Sequence, residues 1–380
     1  MAGKAEVAKS AIFAFNTNID AVWKVDQLVE RTDLPEEMLP LFEAMRSGES
    51  GEVRIGRKTA EFIRRSFPFG ERRGGGQAGN AANAAAKLGV RAALHVANLT
   101  GTQRMVMECR VECIGDASGE SSVHYVFEFS KGQELLGISI PESGRLIFTH
   151  DPANEEMKVS TAFKKFTLKH AREFECALVS GFHNLREEGC EHKLAEIAGL
   201  MRLWKKVNPR MRVHVEFGDF ASEDVLRLVL RRILPYADSL GMNELELRGV
   251  ASVLGAKGRD EFAVAEKVFA ELPYQLGGMV VHEKAYSFAF SRKKQRLEPK
   301  MLFGHALAGF KAAKGRNAGF VELRHFLSQK HPVSQEGIAA LEKFNGHRFA
   351  NAVLVPALAV KPKFTVGLGD AYATGWLLLG

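Results

Sequence analysis

The sequence predicts an α/β protein, with a mostly parallel central sheet flanked by helices and a smaller β-rich lid domain. Three observations carry that expectation. From Phe174 onward, short apolar strands alternate with amphipathic helical stripes. Between Met105 and Phe148 the pattern changes to period two, as in Val123-His124-Tyr125-Val126-Phe127-Glu128-Phe129. Near the end of the chain, Thr365 to Gly375 reads as a tight glycine turn feeding a helix.

Taken in order, Ala11 to Phe15 is apolar throughout and fits a buried first strand. Asn16, Asn18 and Asp20 follow at alternate positions, so one face could bring them to a polyhydroxyl ligand; Asx turns ending a strand explain them equally well. Val22 to Gly70 is charged and helical, with Pro35 opening one helix and Arg64, Arg65 and Pro68 closing another, an excursion from the main sheet. Arg72 to Asn80 is a glycine-rich loop ahead of an alanine-rich helix that Gly89 ends. Arg91 to Val96 is the next strand, and 105–148 reads as antiparallel hairpins. Then come the strands Cys176 to Gly181, Val213 to Glu216, Ser239 to Met242 and Met279 to Val281, with a partner from Ala285 to Phe290. Helical stripes separate them, including Leu194, Ile197, Ala198, Met201 and Trp204. The domains expected are a large one from 1–18, 74–104 and 155–380 and a lid from 19–73 and 105–154.

The chain has 380 residues, 46% of them hydrophobic and 26% charged, enough for a sizeable core. No signal-like leader and no bilayer-length apolar run occur, so a soluble cytoplasmic protein without a membrane partner is expected. The cysteines at 109, 113, 176 and 190 lack zinc-site spacing and read as buried, reduced thiols. A net charge of +7 could mean nucleic acid, but the basic residues are scattered among acidic ones rather than gathered into a tract, and an anionic small substrate accounts for it as well.

Ligands of parallel sheets sit at the carboxyl ends of the strands. There the chain carries His214-Val215-Glu216 and, after the next strand, Asn243-Glu244-Leu245-Glu246. Two carboxylates on one rim offer the hard oxygen ligands that Mg²⁺ needs at a phosphoryl-transfer site, though each motif alone is more commonly a helix cap or surface pair. Gly367, Leu368 and Gly369 bring backbone N–H groups and a helix dipole to the same region. Asp370 stands where the anion would sit, as a general base for a hydroxyl attacking a phosphoryl group, or as an ordinary N-cap.

Together these residues resemble the ADP-dependent sugar kinases, the archaeal glucokinases and phosphofructokinases of the ribokinase-like superfamily. The likeness covers Asn-Thr-Asn-Ile-Asp at 16–20, Gly-Gly-Gln-Ala-Gly at 75–79, His-x-Glu at 214–216, Asn-x-x-Glu at 243–246 and Gly-x-Gly-Asp at 367–370. The resemblance implies a ribokinase-like fold and transfer of the ADP β-phosphoryl group to a sugar or sugar phosphate, releasing AMP. It makes Asp370 the base and Gly367, Leu368 and Gly369 the anion hole. Glu216 and Glu246 would place Mg²⁺ or another divalent cation, and Asn243 the metal water or phosphate. Asn18, Asp20, Gly76 and Gln77 would bind sugar, and His282 would border the adenine. A monomer or small homo-oligomer is expected.

Arg64, Arg65, Arg72 and Arg73 precede the glycine loop and could hold an acceptor phosphate, or form a solvated face. Two departures from the family stand out: the chain stops at Gly380, soon after Asp370, where the family runs longer, and the loops between Gly249 and Lys300 look short. Alternatives at this level are an ADP-dependent ribose-1-phosphate kinase, an ATP-dependent ribokinase-like carbohydrate or nucleoside kinase, and a non-catalytic nucleotide- or nucleic-acid-binding protein.

Overall fold

A computed structural model describes residues 6–28, 34–67, 70–135, 137–347 and 349–380. The first five residues and Pro68 lie outside them. The larger sheet has nine strands in the order Ala352–Pro356, Tyr286–Ser291, Gly278–His282, Ser239–Met242, Arg212–Glu216, Cys176–Val179, Ser10–Ala14, Arg91–Asn98 and Val111–Asp116. From Gly278–His282 to Val111–Asp116 every pair is parallel, and the two strands at the other edge are antiparallel.

The central strands are apolar throughout because both faces are covered. Ile12 and Ala14 enter one core with the helix Cys190–Val207, through Leu194, Ile197, Met201 and Trp204. Ala11 and Phe13 point the other way, into a core with the helices Gln77–Lys87, Glu298–Lys314 and Leu368–Leu378. The alanines of Gln77–Lys87 let it lie close to the sheet, and Gly375 lets two helices touch: a Cβ there would stand 2.6 Å from the Gly304 Cα. Ala371 to Leu378 are all buried, so the helix that begins beside Asp370 is anchored along its length.

A second sheet has the order Gly51–Arg54, Gly144–His150, Val123–Phe129, Asn18–Lys24 and Glu71–Gly75. Helices Pro40–Ser47 and Arg57–Ser66 cover its outer face over Trp23, Phe127 and Phe148. Its inner face, with Asp20, Arg73, Glu128 and Arg145, looks toward Asn80 and Lys311 of the larger body.

Several expectations are corrected. Residues 105–148 are not all hairpins: Val111–Asp116 is the parallel edge strand of the large sheet, so the lid expected over 105–154 loses that part. Period two reports only that one face is covered, and the helix Thr161–His170 covers this strand as effectively as a lid would. The small sheet is mixed, since Asn18–Lys24 runs parallel to Val123–Phe129 and Gly51–Arg54 parallel to Gly144–His150. Part of the glycine loop is the edge strand Glu71–Gly75. Cys109 is exposed and Cys113 half-buried, so only Cys176 and Cys190 are buried thiols. Among the described residues, no helix is long and apolar enough to cross a membrane.

Candidate active site

Gly367 caps the helix Leu368–Leu378 with φ of 63°, a conformation that suits glycine. A Cβ there would also lie 2.7 Å from the Lys311 Nζ. Lys311, nearly buried, donates to the Gly367 carbonyl at 3.1 Å, placing a cation beside the free N–H groups of the first turn. Asp370 lies in that turn and accepts a hydrogen bond from Asn80 Nδ2 at 2.9 Å. Burial pushes its carboxyl up to about 6, against the pull of Lys311 and Asn80, and the Glu216 charge adds to the rise.

The strand Arg212–Glu216 delivers Glu216 to the carboxyl rim, where it accepts from His214 Nε2 at 2.9 Å and His282 Nε2 at 2.7 Å. Burial opposes its ionisation, but His282 and the two imidazole hydrogen bonds hold its carboxyl down at about 2. Burial likewise opposes a charge on His282, yet the Glu216 carboxylate raises that imidazole to about 9. The pair is therefore a buried ion pair at neutral pH.

Gly241, on the neighbouring strand, makes room for it: a Cβ would stand 2.1 Å from Glu216 Oε2 and 2.8 Å from His214 Nε2. Gly241→Ala is expected to destabilise the protein by about 1–3 kcal/mol through overpacking. Urea unfolding checks this, and a midpoint equal to that of the parent protein would contradict the packing argument.

Asn243 and Glu246 form a reciprocal cap on the helix Glu244–Leu254. Glu246 accepts from the Asn243 backbone N–H and side-chain amide, both at 2.8 Å, and its own N–H donates to Asn243 Oδ1 at 3.0 Å. Burial, reinforced by Glu216, still raises the Glu246 carboxyl to about 7 despite the Asn243 N–H. The fields of Glu216 thus reach both Asp370 and Glu246, so three carboxyl groups from distant parts of the chain share one rim.

Among the described residues, no group of three or more His, Cys, Asp and Glu is arranged to ligate a metal directly. Glu246, whose carboxyl meets only the Asn243 N–H and amide, fits a hard divalent cation held partly by water, whereas both Glu216 oxygens already accept from imidazoles and would meet such an ion through water.

Two cavities flank the turn. One, of 620 Å³, is lined by Asn243, His282, Tyr286, Leu368, Gly369 and Tyr372 among others. The second is a 60 Å³ polar notch between the two sheets, lined by Asp20, Arg73, Asn80, Arg145 and Lys311. Asn18 donates to Asp20 at 2.6 Å, and burial raises the Asp20 carboxyl despite the opposing charge of His124. Gly75 keeps this corner open, since its Cβ would fall 2.3 Å from Asp20 Oδ1. Gly76, with φ of 76°, passes so close to Asn16 that a Cβ would meet its carbonyl at 2.5 Å. Gln77 uses its amide internally, donating to the Phe217 carbonyl at 2.5 Å and accepting from the Gly181 N–H at 3.3 Å. It ties strand ends together rather than presenting free groups.

The four arginines do not converge. Arg72 and Arg73 alternate across their strand, so Arg64 and Arg72 border a cavity on the outer side of the small sheet and only Arg73 faces the notch. Arg73 is itself held by a two-pronged contact with Glu71. Sequence reasoning missed Asn80, Arg145, Gly241 and Lys311. Asn80 closes the quoted glycine stretch and could have been found, whereas an isolated arginine in a strand and an isolated lysine in a helix carry no local signal.

The mostly parallel sheet, with a smaller sheet at its carboxyl rim and a glycine-capped helix that carries Asp370, belongs to a sugar kinase by the family its sequence matches. Residues 9–379 match the ADP-specific Phosphofructokinase/Glucokinase conserved region, and the chain belongs to that family. It is 24% identical to the ADP-dependent glucose/glucosamine kinase of Pyrococcus abyssi, over 96% of this chain and 93% of that one. It is 26% identical to the ADP-specific phosphofructokinase of Pyrococcus horikoshii, over 96% of each. In fold it is similar to the crystal structure of a hypothetical ADP-dependent phosphofructokinase from Pyrococcus horikoshii OT3, with a TM-score of 0.81, 23% identity and 98% of each chain covered.

Proposed function

We propose that this protein transfers the β-phosphoryl group of ADP to a hydroxyl of a sugar phosphate and releases AMP. The observation that carries this reading is the position of the Asp370 helix start between a nucleotide-sized cavity and a polar notch. Asp370 takes the proton of the attacking hydroxyl, while the first-turn N–H groups and Lys311 stabilise charge on the transferred group. His282, Asn243 and Gly369 position the donor, and Asn18 and Asp20 orient the acceptor with Gly76 keeping the backbone close. A divalent cation such as Mg²⁺, held at Glu246 and through water at Glu216, would neutralise donor charge. The small sheet, from about 19–73 and 117–150, acts as a lid that excludes water.

Arg145 favours a phosphorylated acceptor over a neutral sugar. It lines the notch without an ion pair among the described residues, and burial lowers its guanidinium although Asp20 and Glu128 partly offset this, so an arriving anion would stabilise its charge. AMP release with glucose, fructose 6-phosphate and ribose 1-phosphate, using ADP and then ATP, tests the whole proposal. Turnover with ATP alone would overturn the donor assignment. Arg145→Gln is expected to raise KM for the phosphorylated acceptor by about tenfold or more. An equal effect on glucose would remove the phosphate role.

A further inference from the structure

The pole of the large sheet opposite the proposed catalytic rim holds a third cavity, of 470 Å³. It opens where the parallel strands begin, at Arg212, Ser239 and Gly278. Arg212, Arg292, Lys293 and Lys300 all line it, against one carboxylate, Asp238. That carboxylate is already neutralised by Lys205 at 2.7 Å.

None of the four cations has an ion-pair partner among the described residues. Arg212 donates to the Leu379 carbonyl, and Arg292 to those of Phe269, Leu272 and Leu276. Lys300 lies 5.6 Å from the Trp376 ring and carries no hydrogen bond from its ammonium among the described residues. Burial and the repulsion of Arg212 bring that ammonium down to about 8. Four like charges around one concavity are mutually repulsive, and a bound anion would relieve them.

The geometry points to a second anion site here, one that takes the phosphoryl group of a small phosphate ester or of free phosphate, remote from the nucleotide. The cavity exceeds what one phosphate fills, and the indole of Trp376 and ring of Tyr274 supply apolar wall for the rest of an ester. Its back wall is wired to the catalytic rim. Trp376 Nε1 donates to Ser239 Oγ at 3.4 Å, Ser239 donates to His214 Nδ1 at 2.8 Å, and His214 Nε2 donates to Glu216 at 2.9 Å.

Calorimetric titration of inorganic phosphate and of glycerol 3-phosphate into the full chain saturated with ADP, without acceptor, tests the site. Saturable binding is expected, weakened about tenfold by Lys300→Gln and severalfold by the exposed Lys293→Gln, and unchanged by Arg145→Gln. Tighter binding of the ester assigns the pocket to a phosphorylated metabolite; equal binding assigns it to free phosphate, and either supports the site. No saturable binding, or binding lost in Arg145→Gln and kept in both lysine variants, overturns it. The readout does not use turnover, so it stands or falls apart from the kinase reading.

Discussion

Asp370→Asn is expected to lower kcat by about 10²–10⁴-fold, the range general-base catalysis supplies, while the affinity for ADP changes by less than about threefold. Asparagine keeps the size of the side chain and can still meet Asn80, so the cavity and helix cap persist, but it cannot accept the acceptor proton. Turnover should also follow the base: with the carboxyl near 6, activity rises as pH passes that value and then levels, and the Asn variant loses this acid limb. A carboxyl raised from its ordinary 3.8 destabilises the ionised folded form, so its cost to stability grows as pH rises from there to about 6. The Asn variant should accordingly melt no lower than the parent at pH 7. Wild-type turnover in the variant would refute the assignment, and a lowered melting temperature would trace the loss to folding instead.

Glu216→Gln should have the largest effect on stability, about 3–5 kcal/mol, because it leaves the His282 imidazolium without its buried counter-charge. The pH dependence has two limbs. His282 is raised, so its contribution is complete below its ordinary 6.5 and is lost as pH climbs through about 9. Glu216 is depressed, so its contribution is complete above its ordinary 4.5 and fades as pH falls toward about 2. The parent protein is therefore expected to lose stability on both sides of a window between those ordinary values, and the variant to show neither limb from this pair. Guanidinium unfolding from about pH 2 to about pH 9 measures both. Parallel curves for parent and variant would mean the pair is not coupled to folding.

Much of the architecture was legible because periodicity reports burial directly. Ala11 to Phe15 reads as a strand covered on both faces, and the Leu194 to Trp204 stripe as a helix covered on one. The same logic misplaced Val111–Asp116, since a half-covered edge strand looks alike in either sheet. At the site, motifs that place several functional groups within a few residues were readable: Asn18 with Asp20, His214 with Glu216, Asn243 with Glu246, and the turn before Asp370. Even there, the sequence alone left Asn243 and Glu246 divided between a helix cap and a ligand pair. The structure shows the cap, and burial raises its carboxyl.

The chain's order of residues determined the α/β class, the strand ends and the acidic groups that sit on them, because hydrophobic period and turn chemistry are local properties. Only the tertiary structure decided which side chains face one another. Lys311 meets the Gly367 carbonyl, Asn80 meets Asp370, and His282 neutralises Glu216 across 66 positions of sequence. Burial and Coulomb coupling depend on distance in space, and that distance follows from sheet order, which no local pattern encodes.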